Sequence, residues 1–271
     1  MSDCRPIGIF DSGLGGLTVV REILRLMPHE RIIYLGDTAR SPYGVRSEET
    51  IKSFGLQCAN HFLKHDIKML VVACNTVSSV ALELIEKKIK DIPVIGVVLP
   101  GARAAVLRTA EYKIGVIGTP ATVNAQAYFR AINNLDPNIR VYGRACPLFV
   151  PIVEAGLYDH DISRLTAQHY LYEMIDLGVD CIILGCTHYP LLLEVIQGTV
   201  GTRIQLLDSA LWTAKEVQDI LTALNCITSL KDDGFEKSSF LLTDITEDTG
   251  IQAELFLGRK LKSFQRVTLD I

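Results

Sequence analysis

Apolar residues in this chain fall in short, unbroken runs closed by small and polar residues. Two such runs stand out: Val71-Val72-Ala73-Cys74-Asn75-Thr76 and Ile183-Leu184-Gly185-Cys186-Thr187-His188. A run of this kind reads as a buried strand ending at the start of a loop or helix. Each cysteine is therefore expected at the carboxyl edge of a parallel sheet, where open α/β folds hold their ligands. The two cysteines lie 112 residues apart, and other segments repeat at nearly the same offset. Ile7-Gly8-Ile9-Phe10-Asp11-Ser12 is echoed by Ile114-Gly115-Val116-Ile117-Gly118-Thr119, Ile33-Tyr34 by Val141-Tyr142, and Val94-Ile95 by Leu206-Leu207. The same order at a near-constant offset indicates a duplicated α/β unit, each copy donating one cysteine.

The pattern predicts strands at Ile7–Phe10, Arg31–Leu35, the Cys74 run, Ile92–Val98, the Ile114 run, from Val141, the Cys186 run and Leu206–Leu207. Helices are expected over Leu17–Met27, Glu48–Lys64, Val80–Lys90, Ala102–Ala110, the segment closed by Leu135-Asp136-Pro137, Arg164–Leu177 and Ala210–Leu224. Pro100-Gly101 is read as the crossing into the second unit. The remainder, with short strands at Phe240–Leu242 and Val267–Ile271 around a helix near Ile251, is expected to pack back onto one of the units.

A chain of 271 residues with 48% hydrophobic content and positive mean hydropathy supports a substantial core. Its net charge of −4 comes from well-mixed acidic and basic residues, so no basic stripe suggests a nucleic-acid surface. No apolar run reaches membrane-spanning length, and Met1-Ser2-Asp3-Cys4-Arg5-Pro6 lacks the plan of a signal peptide. The expectation is a cytoplasmic protein, binding neither nucleic acid nor membrane. Seven cysteines without a disulfide framework are expected to be free thiols, and the absence of a CxxC or Cys/His comb argues against structural zinc.

Three features bear on chemistry. Asp11-Ser12-Gly13-Leu14-Gly15-Gly16 joins a strand to a helix, but its glycine spacing is not that of a dinucleotide loop, and Asp11 would repel a phosphate. Backbone N–H groups there could hold a carboxylate instead. Ser41-Pro42-Tyr43-Gly44 is a turn leaving the same sheet edge, readable as a substrate cover or as an ordinary surface turn. Above all, a thiol at a helix start is expected to ionise below its ordinary value of about 8.5. Two such thiols facing one cleft suit proton removal from one face of a carbon and delivery to the other, which inverts a stereocentre without a cofactor. Asn75, Thr76, Thr187 and Ser12 are candidates to grip an α-amino acid, with Asp11 and His188 placed to tune the thiols. Glu154 reads equally as a helix-surface residue or a carboxylate aimed into the cleft. Cys58, Cys146 and Cys181 read as structural. Two rivals remain open on these residues: a metal site from Cys74, Cys186, His188 and Asp11, and a two-lobed binding protein.

The motif set Phe10-Asp11-Ser12-Gly13-Leu14-Gly15-Gly16-Leu17, Gly36-Asp37-Thr38-Ala39-Arg40, Pro42-Tyr43-Gly44, Ala73-Cys74-Asn75-Thr76, Ala145-Cys146-Pro147-Leu148 and Leu184-Gly185-Cys186-Thr187-His188-Tyr189-Pro190-Leu191-Leu192 resembles the glutamate racemases of the cofactor-independent aspartate/glutamate racemase superfamily. The resemblance implies two similar Rossmann-like parallel-sheet domains related by a pseudo-twofold axis, with the active site in the cleft between them. The expected domains are residues 1–98 with 210–271, and residues 99–209. It implies Cys74 and Cys186 as paired acid/base thiols without pyridoxal phosphate or metal, assisted by Asp11, Asp37, Glu154 and His188. Asp11, Ser12, Pro42, Tyr43, Gly44, Asn75, Thr76, Thr119, Thr122, Thr187 and His188 carry over as substrate contacts. Glutamate is the implied substrate, with an aspartate, other amino-acid or hydantoin racemase as the alternative. The implied role is supply of D-glutamate to peptidoglycan, with a cell-wall precursor as candidate activator and a second copy of the chain as candidate partner. Val77, Leu99, Asn124 and Ala210 depart from the family pattern, and none touches the thiols.

Overall fold

The computed structural model describes residues 2–270. Its strands are β1 (Ile7–Asp11), β2 (Ile32–Gly36), β3 (Met69–Val72), β4 (Val94–Gly96), β5 (Lys113–Gly118), β6 (Arg140–Ala145), β7 (Cys181–Gly185), β8 (Gln205–Asp208), β9 (Ser239–Leu242) and β10 (Gln265–Arg266). Its helices are α1 (Leu17–Leu26), α2 (Glu48–Phe62), α3 (Asn75–Val80), α4 (Leu82–Lys88), α5 (Val98–Arg108), α6 (Pro120–Asn124), α7 (Ala127–Leu135), α8 (Phe149–Glu154), α9 (Asp161–Asp176), α10 (Leu193–Val200), α11 (Ser209–Ala223) and α12 (Thr249–Leu257).

The strands form two parallel sheets, ordered β10-β9-β2-β1-β3-β4 and β6-β5-β7-β8. Helices cover both faces, which is why the central strands are continuous apolar runs: every residue of β1, β3 and β7 is buried. The second sheet repeats the order of the first four strands, and the register repeats as well. Leu70 pairs with Val94 and Ile182 with Leu206, each residue displaced by 112. In both sheets the chain turns back at the first strand, so the crevice opens between β1 and β3 and between β5 and β7. Open α/β sheets bind ligands at that switch point.

Several boundaries differ from the sequence expectation. The helix expected over Val80–Lys90 is α4, Leu82–Lys88, and it is preceded across a break at Ala81 by α3, which was not expected. Ser78 supplies a physical reason: its hydroxyl donates to Val72 O at 2.8 Å and accepts from Val97 N at 3.3 Å, tying α3 to the sheet rather than to a continuing helix. Pro100 and Gly101 lie inside α5, within a turn of its start, where a missing N–H costs nothing. The link between the sheets is therefore helical. The helix ending at Leu135 is interrupted at Gln126, in the left-handed conformation. Strand β4 is shorter than expected, and the last strand is Gln265–Arg266 rather than Val267–Ile271, whose final residue lies outside the described residues. The closing segment does return to the first sheet, as β9 and β10 beside β2.

Helix α1 fixes how the halves meet. It buries Leu17, Val19, Val20 and Ile23 and packs against α11 and α12, while α11 also packs on α5. One hydrophobic cluster consequently runs from β1 and α1 through α11 to Phe149, Tyr189 and Leu192 beside the second sheet. Among the described residues no helix is long and apolar enough to cross a membrane.

Candidate active site

Strand β3 ends at Val72, and Cys74 caps the start of α3; β7 ends at Gly185, and Cys186 follows directly. Both thiols thus stand at the switch points of their own sheets. Both are almost wholly buried, 4% and 7% exposed. The Cys74 thiol donates to Ser12 Oγ at 3.4 Å, which joins it to the loop after β1.

Burial pushes the Cys74 thiol up to about 12, and the nearby Asp11 carboxylate adds to the effect. The Ser12 hydroxyl and the backbone N–H groups of Val77 and Ser12 oppose it without prevailing. This corrects the expectation of a thiol ionised near neutrality. A helix of six residues presents a weak positive end, and the loss of water around sulfur outweighs it.

His188 lies two residues beyond Cys186. Burial works against its cation, but hydrogen bonds to Cys186 and Glu154 outweigh burial, and it stays protonated up to about 10. Glu154 Oε1 is 3.4 Å from His188 Nε2, and the Phe256 ring stands edge-on to the imidazole with centroids 5.0 Å apart. Glu154 is thus both partly exposed and turned to the site. Burial raises the Asp11 carboxyl, while the His188 charge and the amides of Gly16, Gly13 and Ser12 restrain the rise. Asp11 therefore senses Cys74 on one side and His188 on the other. One buried polar cluster, Cys74–Asp11–His188–Cys186, spans the two halves.

The halves touch closely here. A methyl group on Gly15 would collide with Thr187 Oγ1 and sit 2.7 Å from His188 Nδ1. Hydroxyls of Thr76, Thr119 and Thr122 form a triangle across the cleft, with Thr76–Thr119 at 3.0 Å, Thr119–Thr122 at 3.0 Å and Thr76–Thr122 at 3.3 Å. Tyr128 donates its hydroxyl to Asn75 Oδ1 at 2.7 Å, which leaves Asn75 Nδ2 buried without a partner; Asp11 Oδ1 is likewise unpaired. A buried free donor and a buried free acceptor near one thiol are the complement of an α-carboxylate and an α-ammonium.

Other candidates lie further from the sulfurs. Tyr43 is 1% exposed and donates its hydroxyl to Asp37, whose carboxylate also accepts from Arg40 Nε at 2.6 Å. The Tyr43 ring and Asp37 are thus occupied with each other rather than with the cleft. Pro42 is exposed. Gly44 reaches across: its carbonyl accepts from Ala121 N at 3.1 Å, and a methyl group on it would collide with Thr119. A cavity of about 140 Å³ opens on His188 and Glu154, walled by Gly13, Leu14 and residues of the returning segment including Asp244, Thr249 and Phe256. Cys58, Cys146 and Cys181 are core residues, as read from sequence. Among the described residues no three His, Cys, Asp or Glu side chains converge to hold a metal ion. Sequence reasoning passed over Tyr128, whose bond orients Asn75, and Phe256 and Thr243, which lie beyond the motif set.

Comparison with known proteins gives a consistent result. The Asp/Glu/Hydantoin racemase family matches residues 7–217. A glutamate racemase of Geobacter metallireducens is 44% identical over 266 residues, covering 98% of this chain and 97% of that protein. The crystal structure of a Francisella tularensis glutamate racemase in complex with D-glutamate superposes with a TM-score of 0.93 at 37% identity, covering 99% of each chain. That of the Escherichia coli glutamate racemase with L-glutamate and the activator UDP-MurNAc-Ala does so with a TM-score of 0.78 at 28% identity, covering 98% of this chain and 99% of that one.

Proposed function

The chain belongs to the Asp/Glu/hydantoin racemase family, and from that premise we propose that it interconverts L- and D-glutamate by two-thiol proton transfer at the α-carbon. The observation that carries this reading is the placement of Cys74 and Cys186 at matching switch points, joined through Asp11 and His188 into one buried cluster. One sulfur, as thiolate, takes the α-proton; the other, as thiol, gives a proton to the opposite face. The two are unequally prepared. Burial and Asp11 hold Cys74 protonated, ready to donate, whereas Cys186 is hydrogen-bonded to the protonated imidazole of His188. Turnover in the reverse direction requires the protons to exchange places.

The α-proton is a very weak acid, so the site must stabilise the carbanion electrostatically and exclude water. Asn75 Nδ2 and the Thr76, Thr119, Thr122 and Thr187 hydroxyls supply donors for the two carboxylates. Asp11 and Ser12 supply acceptors for the ammonium. Glu154 keeps His188 cationic, and Asp37 acts at one remove, through Tyr43. The working domains are residues 1–98 with 210–271, and 99–209, with the site in the cleft between them. We assign the product to peptidoglycan synthesis in the cytoplasm, with neither cofactor, nucleic acid nor membrane involved. A nucleotide-linked cell-wall precursor, as in the Escherichia coli protein, is assigned as activator and a second copy of the chain as partner.

The test is incubation of metal-stripped protein with L-glutamate in deuterated water. Optical rotation should fall to zero while deuterium enters the α-position. Glutamate that keeps both its rotation and its α-hydrogen, while aspartate or a hydantoin exchanges, would refute the assignment.

A further inference from the structure

The returning segment lies beyond the family match, which ends at residue 217. Yet it is bonded into the loop that reaches across the cleft. Thr243 follows β9 and donates its backbone N–H to Gly36 O at 3.1 Å. Its hydroxyl works in both directions: it donates to Asp37 Oδ1 at 2.9 Å and accepts from Ala39 N at 2.9 Å. Asp37 is completely buried, and its other oxygen accepts from Tyr43 and Arg40. Tyr43 lies one residue before Gly44, which meets Thr119 and Ala121 of the opposite half. Next to Thr243, Asp244 exchanges two hydrogen bonds with Thr38 Oγ1, at 2.6 and 2.8 Å.

We infer that Thr243 is a positioning residue for substrate binding, acting through Asp37 and Tyr43 to hold the Pro42–Gly44 loop against the threonine cluster. The inference rests on the racemase reading above. Each link needs a hydroxyl or carboxylate where it stands. A valine at 243 has the shape of threonine but leaves the buried Asp37 Oδ1 without its donor. A buried carboxylate that loses a donor leans harder on its remaining partners, Arg40 and Tyr43, and Tyr43 leads directly into the loop. The loop braces Thr119, assigned above to a substrate carboxylate, rather than the thiols that move the proton. Its displacement should weaken ground state and transition state alike, raising KM and sparing kcat.

The experiment measures kcat and KM for both glutamate enantiomers in wild type, Thr243→Val, Thr243→Ser and Tyr43→Phe, and in Thr243→Val combined with Tyr43→Phe. The expected result for Thr243→Val is a KM raised about tenfold in both directions with kcat within about twofold. Thr243→Ser should restore wild-type KM. Thr243→Val should add less than about twofold on the Tyr43→Phe background, because the two substitutions break one relay. An unchanged KM in Thr243→Val or Tyr43→Phe, an equal defect in Thr243→Ser, or full multiplication in the double variant would overturn the relay. If Thr243→Val fails to fold, Tyr43→Phe and Thr243→Ser decide. Wild-type protein that exchanges no α-proton of glutamate would instead refute the racemase reading.

Discussion

At His188 and Cys74, burial acts on both groups and is overcome at only one. His188 has two hydrogen-bond partners, Cys186 and Glu154, and these outweigh desolvation. Cys74 has an anion beside it, so burial and Asp11 act together. The sign for stability follows. His188 is held protonated up to about 10, above its ordinary 6.5. Its contribution is therefore complete below about pH 6.5 and disappears as pH rises through about 10. Urea unfolding between about pH 6 and pH 10 should show wild type losing stability over this range and His188→Gln losing less; parallel profiles would contradict the pairing. None of this was legible from residue identity. Cys74, Asp11 and His188 were readable as chemistry from their place in apolar runs, but the direction of each shift depends on water excluded by distant segments. A helix start alone pointed the wrong way for Cys74.

Among the elements, the strands were legible because a parallel sheet covered on both faces forces continuous apolar runs, and the repeat was legible because the register is shared residue by residue. The helices were less so. The break at Ala81 depends on Ser78 bonding to β3 and to Val97, and a left-handed Gln126 separates α6 from α7. Pro100 looked like a boundary and is a helix residue, since proline near a helix start satisfies the same backbone rule as proline in a turn. The glycines of the loop before α1 were noticed for their spacing and their backbone amides, not for the room they leave. Gly15 is there for close approach, since any side chain would strike Thr187 and His188. Gly15→Ala should therefore lower kcat/KM by about a hundredfold or more, as one element is pushed off the other by a fraction of a side chain. Kinetics beside a thermal melt will check this. A variant with wild-type kcat/KM would show that the halves do not need this approach.

In the whole molecule, the site depends on two sheets held at a fixed separation by a chain that leaves the first, builds the second and returns. The return is fastened at the far end of the strands. Lys68 and Glu30, both fully buried, pair at 2.6 Å; Lys68 also donates to Asp3 O and Cys226 O, and Glu30 accepts from Thr228 N. Removing one member leaves the other charged and unpaired. Lys68→Met should cost about 3–5 kcal/mol in urea unfolding, and Lys68→Met with Glu30→Leu should recover much of that. A single variant as stable as wild type would show that the pair does not fasten the segment. This connection was not legible in sequence, where nothing links Lys68 to Glu30 or to the segment after α11. The motif set defined the cleft and left the returning segment as a mere addition, although it provides Thr243, Asp244 and Phe256 around the site. The account as a whole requires the two sulfurs to address opposite faces of one carbon. The direct measurement is α-proton exchange in deuterated water with each enantiomer of glutamate, for Cys74→Ser and Cys186→Ser. Each variant should lose exchange of one enantiomer far more than of the other, with the preference reversed between the two. Equal loss for both enantiomers in both variants would contradict the account.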